Sequence, residues 1–293
     1  MGAVAFFAAC VAASLVPDRP LAFTNETSEG LTELIGSAGR DVSLSRARFL
    51  GYPAGCKDAT LRPNPAFWLK GADFTCASPW NDESGCFRAG TAISRRHVIF
   101  AKHYPLGVGT RIAFVGETGA MSHYRIVATR GMAERDIMVG LLDYELTPDV
   151  HPAKVLPPDF AKWIAHGTVW PVVTFNRSEN ALLSAMTVQW NAYHKKMEFI
   201  NCAPQSAGWQ RFAGELTSGD SGNPAFLLCC GRPILLYCIR CGGVGYGPFI
   251  HEYRCEVQRL MDELCPGYKL EDFDFSSADG ADGRKEGCRT CGG

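Results

Sequence analysis

The sequence predicts an all-β protein that folds as two β-barrels and ends in a helix. Two clusters of short segments, rich in β-branched and aromatic residues, are separated by a Pro-rich connection over residues 148–158. Short strands with turn residues between them are typical of barrels. Helical spacing of apolar side chains is clear only at residues 253–264, where Val257, Leu260, Met261 and Leu264 share one face.

Each cluster divides into strands at its glycine, proline and polar turn residues. The first cluster predicts strands at residues 89–94, 97–103, 111–116, 124–130 and 136–142. The second predicts strands at residues 168–175, 182–190, 197–202, 224–230, 233–240 and 247–251. The predicted helix follows the last of these strands directly.

The residues on either side of the β unit predict an extension and a tail. Residues 17–84 are polar with scattered Pro and Gly, with a short helical pattern at 29–35 and aromatic anchors within 64–74. We expect this N-terminal extension to pack against the β unit, and a propeptide is the alternative. Residues 267–293 contain a polar, Gly/Asp-rich stretch followed by cysteines, which predicts a C-terminal tail.

Composition limits the partners of the chain. Its 293 residues, 46% hydrophobic and 20% charged, can bury the core of one folded unit with additions. A formal net charge of −1 lacks the basic stripe that nucleic-acid binding needs, so we expect no nucleic-acid partner. There is no run of 18 apolar residues, so no membrane span is expected.

The N-terminus and the cysteines favour export. Residues 3–16 form an uncharged apolar stretch, which predicts a signal peptide over 1–16, although the usual basic start is missing and a buried helix is the alternative. Thirteen cysteines indicate an oxidising compartment, so we expect a secreted or cell-envelope (periplasmic) protein with disulfides. The candidate pairs close in sequence are Cys76 with Cys86 and Cys255 with Cys265.

Two Cys-x-x-Cys-Gly-Gly segments offer a competing interpretation of the cysteines. They begin at Cys238 and Cys288, with Cys241 and Cys291 as the second thiols, and four thiolates so spaced can close a tetrahedral zinc site. The first pair, however, lies in a predicted strand and the second at the extreme C-terminus. We therefore expect disulfides or free thiols there, with no metal and no cofactor.

The most informative motif is Gly219-Asp220-Ser221-Gly222-Asn223-Pro224. A serine between glycines suits a hydroxyl nucleophile with backbone N–H groups beside it, because Gly219 tolerates the positive φ that turns the main chain. The N–H groups of Gly219 and Ser221 can then bind an oxyanion. Asp220 is the natural group to brace this loop.

A histidine and an aspartate upstream complete the pattern that activates a serine. His103 closes the apolar run 98–103, and Asp136 opens the apolar run 136–142. His97 precedes its apolar run, which predicts a strand-start or turn histidine, and Asp143 is expected to be a solvated carboxylate at a strand end.

These three motifs, in the order His, Asp, Ser, resemble the trypsin/chymotrypsin-like serine peptidases, and bacterial trypsin-like peptidase domains in particular, over residues 85–266. The resemblance implies two six-stranded β-barrels with a C-terminal helix, and a monomer that hydrolyses a protein or peptide substrate. It assigns Ser221 as the nucleophile, His103 as the base and acid, and Asp136 as the group that orients the imidazole. The rival interpretations are a non-catalytic peptide-binding module on the same fold and a zinc-knuckle interaction protein.

The resemblance also bears on activation and specificity. No Ile-Val-Gly-Gly sequence precedes the first strand, so we expect Asp220 to be held internally, by an Arg or by backbone N–H groups, without proteolytic activation. Glu215, six residues before Ser221, is a candidate for the base of a pocket that takes Lys or Arg. A solvated loop carboxylate is the alternative for Glu215, and Arg240 would either neutralise Glu215 or select acidic residues instead. Cys241, Gly242 and Gly243 are the candidate pocket wall.

Overall fold

The structure is a computed structural model, and it describes residues 35, 41–50, 61–79, 89–164, 167–191, 193, 196–202, 207–229, 231–240 and 246–279. Within these ranges the chain is mostly β with few helices. Two larger sheets and one two-stranded sheet account for its strands. No helix in the described part is long and apolar enough to cross a membrane.

The first larger sheet is formed by the first predicted cluster. Its strands run in the order β3-β4-β7-β6-β5, and every pairing is antiparallel. They are β3 (Thr91–Ala92), β4 (His97–Phe100), β5 (Arg111–Val115), β6 (Met121–Gly131) and β7 (Met138–Leu142). All four residues of β4 are buried, because this strand lies between two others and both of its faces are covered.

The second larger sheet has six strands in the order β11-β10-β9-β12-β13-β8. They are β8 (Lys154–Val155), β9 (Val169–Phe175), β10 (Ala181–Asn191), β11 (Lys196–Cys202), β12 (Pro224–Cys229) and β13 (Arg232–Cys238). Its pairings are antiparallel except for β8 with β13, which is parallel. The short β8 comes from the Pro-rich connection, for which no strand was predicted.

Helices and the small sheet complete the described structure. The N-terminal extension forms helix α1 (Val42–Arg46) and the two-stranded sheet of β1 (Phe49–Leu50) and β2 (Arg62–Pro63). The remaining elements are the short 3₁₀ helices Phe160–Lys162 and Ile250–Tyr253, and the α-helices α2 (Ala207–Phe212), α3 (Arg254–Leu264) and α4 (Ser276–Asp279). The predicted terminal helix is confirmed as α3, which buries Val257, Leu260 and Met261.

One of the predicted strands is wrong. Residues 247–251 form no strand: they are irregular up to the 3₁₀ helix that begins at Ile250 and leads into α3. A run of apolar residues can equally cover the start of a helix, so local pattern misleads here. The first larger sheet has five strands among the described residues, and the two six-stranded barrels that the resemblance implied stay a prediction.

The extension is packed on the second sheet through its aromatic residues. The ring of Trp68 lies 4.5 Å from that of Phe212 in α2. Phe74 lies 5.0 Å from Phe175 and 5.3 Å from Phe226, on strands β9 and β12. These residues belong to a hydrophobic core that also includes buried side chains of the first sheet, so the extension and both sheets share one apolar interior.

The suggested disulfide between Cys255 and Cys265 is not formed. Cys76, Cys202, Cys238, Cys255 and Cys265 carry free thiols. Cys255 lies in the first turn of α3 and Cys265 just after its last residue, and a helix of that length separates them by about 15 Å, well beyond the 4.4–6.8 Å that a disulfide spans between Cα atoms. Cys76 is 2% exposed within the core, and Cys86 lies outside the described residues.

Candidate active site

Strand pairing brings His103 and Asp136 to the same edge of the first sheet. In the antiparallel pair β4–β7, Phe100 lies opposite Met138, so the end of β4 meets the start of β7. His103 follows β4 by three residues and Asp136 precedes β7 by two. Strand β4 ends at Phe100 instead of continuing to residue 103, because the chain turns there, with Tyr104 N–H donating to the Ala101 carbonyl at 3.2 Å.

Both carboxylate oxygens of Asp136 accept hydrogen bonds from His103. The backbone N–H of His103 donates to Oδ1 at 2.8 Å, and Nδ1 lies 2.6 Å from Oδ2. The Asp136 side chain is 11% exposed, whereas the imidazole is 42% exposed. One carboxylate therefore fixes both the backbone and the ring of His103, and it favours the tautomer that carries its proton on Nδ1.

Ser221 lies at the other side of the imidazole. Its Oγ is 2.9 Å from His103 Nε2 and 3.5 Å from the carbonyl oxygen of Arg240. The loop is anchored to the end of β13 because Gly222 N–H donates to the Ile239 carbonyl at 2.8 Å and Ile239 N–H donates to Asn223 at 2.8 Å. The three predicted side chains thus form one hydrogen-bonded line from carboxylate to hydroxyl.

Glycine at position 222 allows this loop to approach the first half of the chain. Gly222 has φ +88°, and a Cβ built there would lie 3.2 Å from the Ala89 carbonyl oxygen and 3.8 Å from the Ala101 amide nitrogen. A side chain would therefore be strained and crowded against the residues that lead to His103. The distance between the serine and the histidine depends on this close backbone contact.

Asp220 is held from inside, by backbone N–H groups. It is 1% exposed, its Oδ1 accepts from Arg177 N–H at 2.6 Å, and its Oδ2 accepts from Thr217 N–H at 2.6 Å. The prediction that Asp220 is bridged internally is confirmed, and backbone amides are the donors. The sequence could not have pointed to Arg177 or Thr217, since every residue except proline carries such an N–H.

Gly219 occupies the third position of a tight turn. Asp220 N–H donates to the Thr217 carbonyl at 3.1 Å, and Gly219 has φ +100°, as the third residue of a type II turn requires. The Ser218 carbonyl oxygen lies 3.4 Å from Arg177 Nη1. Because the peptide is planar and trans, the Gly219 N–H points the opposite way, away from Arg177. No described residue accepts a hydrogen bond from this N–H or from that of Ser221.

An open pocket of about 520 Å³ adjoins Asp136. Three cationic side chains line it, those of Lys102, Arg135 and Arg240, against the carboxylates of Glu134 and Asp136. Lys102 Nζ binds the carbonyl oxygens of residues 132 and 133, at 2.5 and 3.0 Å. These carbonyls are neutral, so the charge of Lys102 is not cancelled by an ion pair there.

The remaining candidates lie apart from this line or outside the described structure. Glu215 is exposed on the loop that leads to Thr217. Cys241, Gly242 and Gly243 lie outside the described residues, so the suggested pocket wall stays a prediction. His97 begins β4 as predicted, is fully buried, and its Nδ1 lies 2.8 Å from Ser94 Oγ.

The cysteine near the site has a protonated thiol. Burial in β13, with a smaller contribution from the Asp136 charge, raises the pKa of Cys238 to about 12. This thiol is therefore a poor nucleophile near neutral pH. The other three cysteines of the suggested zinc knuckles, at 241, 288 and 291, lie outside the described residues.

Comparison with known proteins adds little. No family model and no curated protein matches the chain. Among solved structures, human heparin binding protein is similar to it, with 17% sequence identity and a TM-score of 0.46, over 65% of this chain and 92% of that one. This likeness is too weak to identify the fold or the function of the chain.

Proposed function

We propose that the chain is a serine endopeptidase that hydrolyses peptide bonds through an acyl-enzyme, on a trypsin-like fold of two β-barrels. The supporting observation is the hydrogen-bonded line from Asp136 through His103 to Ser221, with distances of 2.6 and 2.9 Å. A purely structural role for these three residues would not require both hydrogen bonds. A carboxylate, an imidazole and an accessible hydroxyl in that order are what activation of a serine requires.

Acylation would proceed by attack of Ser221 Oγ on the carbonyl carbon of the scissile peptide. His103 Nε2 accepts the hydroxyl proton as the new C–O bond forms, and Asp136 stabilises the resulting imidazolium. The carbonyl oxygen becomes an oxyanion, which the free N–H groups of Gly219 and Ser221 would bind. When the C–N bond breaks, His103 returns the proton to the leaving amine.

Deacylation would repeat these steps with water. His103 removes a proton from the water molecule as its oxygen attacks the ester carbon, and the C–O bond to Ser221 breaks. The proton then passes from His103 to Ser221 Oγ, and the acid product leaves. The half-exposed imidazole has room for both the amine and the water to reach Nε2.

Two features bear on the substrate. Glu215 would favour Lys or Arg if it faces the substrate. The cationic side chains of Lys102, Arg135 and Arg240 beside Asp136 favour instead an acidic side chain next to the cleaved bond. We propose export of the chain through the signal peptide at 1–16, with residues 85–266 as the peptidase domain, 17–84 as its extension and 267–293 as its tail.

Covalent labelling by a fluorophosphonate probe tests the proposal. The wild-type protein should be labelled at Ser221, and labelling should be lost in Ser221→Ala and in His103→Ala, because the first lacks the nucleophile and the second its base. Ser277→Ala and His151→Ala are matched controls, since they remove an exposed hydroxyl and an exposed imidazole of the same chain that lie off this line. Both controls should label like the wild type.

Two outcomes would contradict the peptidase. A folded wild-type protein that neither reacts with the probe nor cleaves an unfolded protein substrate would instead support a peptide-binding module. Labelling that persists in Ser221→Ala would place the reactive group elsewhere.

If labelling depends on Ser221, a cleavage profile on a peptide library separates a preference for basic side chains from a preference for acidic ones.

A further inference from the structure

A buried ion pair joins the N-terminal extension to the second sheet. Arg48 and Glu179 are 7% and 3% exposed, and Arg48 Nε lies 3.2 Å from Glu179 Oε2. Taking two charges out of water is unfavourable, because each ion loses its hydration. Loss of one partner alone leaves an uncompensated buried charge, so each charge depends strongly on the other.

The extension fixes Arg48 from several directions. Its Nη1 and Nη2 donate to the carbonyl oxygens of Phe74 and Ala77, at 3.2 and 2.8 Å. The guanidinium also lies over the ring of Phe175, 4.9 Å from its centre. Phe175 is the last residue of β9, so the arginine is held where that strand turns.

The turn that follows β9 is strained at the residue that Arg48 contacts. Glu179 has φ +57°, the only positive value at a non-glycine residue in the described ranges. This conformation is strained for an L-residue, because its Cβ comes too close to the following carbonyl oxygen. The Glu179 carbonyl accepts from Arg48 N–H at 2.9 Å, and Ala47 is bridged to Asn180. Backbone and side-chain contacts from the extension thus offset the strain of the 176–180 turn.

The same turn supports the Ser221 loop. Strands β9 and β12 are antiparallel neighbours, so the end of β9 lies beside the loop that precedes β12. Within the turn, Arg177 N–H is a donor to Asp220, at 2.6 Å. The Arg177 side chain also lies against Gly219, because a Cβ built there would be 3.2 Å from Nη1.

We propose that the described part of the extension, residues 41–50 and 61–78, acts as a built-in activator, in which Arg48 and Glu179 position the 176–180 turn so that Arg177 N–H holds Asp220 and keeps the Gly219 N–H available to an oxyanion. This inference rests on the proposed peptidase function. It makes Arg48 and Glu179 positioning residues that act through the turn, and it makes the extension a permanent part of the enzyme instead of a propeptide.

Two variants of the full-length chain test the activator. Glu179→Gln keeps the size of the side chain and removes its charge. The double variant Arg48→Met with Glu179→Leu removes both charges, which avoids leaving either one unpaired. Arg254→Gln is the matched control, because it breaks the half-buried pair of Arg254 with Asp272, at 2.5 Å, between α3 and the segment that follows it.

Three quantities are measured for each variant: kcat and KM on a peptide substrate, hydrogen exchange at the Arg177 and Thr217 amides, and the thermal midpoint. We expect kcat to fall ~10- to 100-fold in both test variants with KM changed less than about twofold, since an oxyanion donor acts mainly in the transition state. Exchange at the two amides should accelerate about tenfold or more, because their hydrogen bonds to Asp220 open more often. Arg254→Gln should lower the thermal midpoint without either effect.

The outcomes separate this inference from the peptidase itself. Test variants with wild-type kcat and wild-type amide exchange would overturn the activator while leaving the peptidase intact. Test variants with raised kcat would also overturn it, since weakening a propeptide's contacts releases activity. A wild-type protein without Ser221-dependent labelling would overturn both proposals.

Discussion

Asp136 accepts two hydrogen bonds from a single residue, one from the backbone and one from the ring of His103. This arrangement fixes the rotation of the imidazole as well as its tautomer. One donor is the backbone N–H and the other is on the ring, so the side-chain torsions between them are restrained. The loop around Ser221 then brings Oγ to Nε2 of this fixed ring. The glycines of that loop are also required at their positions, because they have positive φ values.

Gly219→Ala should impair catalysis more than folding. At φ +100° an alanine is strained, and its Cβ would lie 3.2 Å from Arg177 Nη1, so we expect the turn that orients the 219 N–H to shift. We expect kcat to fall ~100-fold, as for loss of one oxyanion donor. The measurement is kcat on a peptide substrate beside the unfolding free energy.

Gly109→Ala is the control for backbone strain in that experiment. Gly109 has φ +90° and nothing within 4 Å of its would-be Cβ. Both variants should lose about 1 kcal/mol of stability, and only Gly219→Ala should lose activity. Equal kcat values in the two variants would contradict the role assigned to Gly219.

Two pairs of neighbouring strands position the candidate active site. The antiparallel pair β4–β7 brings together the ends that hold His103 and Asp136, and the pair β9–β12 places the 176–180 turn beside the Ser221 loop. Helix α3, by its length, keeps Cys255 and Cys265 apart.

Cys255 and Cys265 should therefore both react with an alkylating reagent in the folded, unreduced protein. Cys255 is exposed and Cys265 half-buried, and both are free thiols. Peptide mass spectrometry after alkylation should find an adduct at each position. A sample reduced and unfolded before alkylation gives the full count for comparison. Adducts at these two positions that appear only after reduction would show that they are bridged.

Buried groups of the first sheet affect the stability of the entire chain, because one hydrophobic core joins this sheet to the second sheet and the extension. His97 is fully buried in that interior, with its ring 5.5 Å from that of Tyr268. Burial, opposed by the Met261 carbonyl and aided by the Arg96 charge, lowers the pKa of His97 to about 4. The folded protein therefore excludes a proton that the unfolded chain binds.

Stability should fall as pH is lowered from about 6.5 to about 4. The unfolded histidine, with a pKa near 6.5, is protonated in this window while the folded one stays neutral. The contribution of His97 is complete above pH 6.5 and lost towards pH 4, at most about 3 kcal/mol. Denaturant titrations at several pH values should show a shallower pH dependence in His97→Gln. An identical pH dependence in wild type and variant would contradict a neutral buried imidazole.

Ten of the eleven segments predicted as strands form strands, and local pattern also predicted helix α3 and the three side chains of the candidate site. Alternating apolar residues, turn residues and the Gly-Asp-Ser-Gly motif are each recognised within a few consecutive positions of the sequence. Their physical causes, burial of one strand face and the freedom of glycine, act over the same short range. The catalytic role of His103, Asp136 and Ser221 remains a proposal.

Several contacts between distant segments had no counterpart in the sequence pattern. The parallel pairing of β8 with β13, the pair of Arg48 with Glu179 and the hydrogen bond from Arg177 N–H to Asp220 join residues far apart along the chain. A backbone N–H group is present at nearly every position, so the sequence does not show which one is a donor. Likewise, the sequence does not distinguish a buried, paired arginine in a polar stretch from a solvent-exposed one. Their partners follow from how the extension and the two sheets pack together, because burial and distance exist only once the chain has folded.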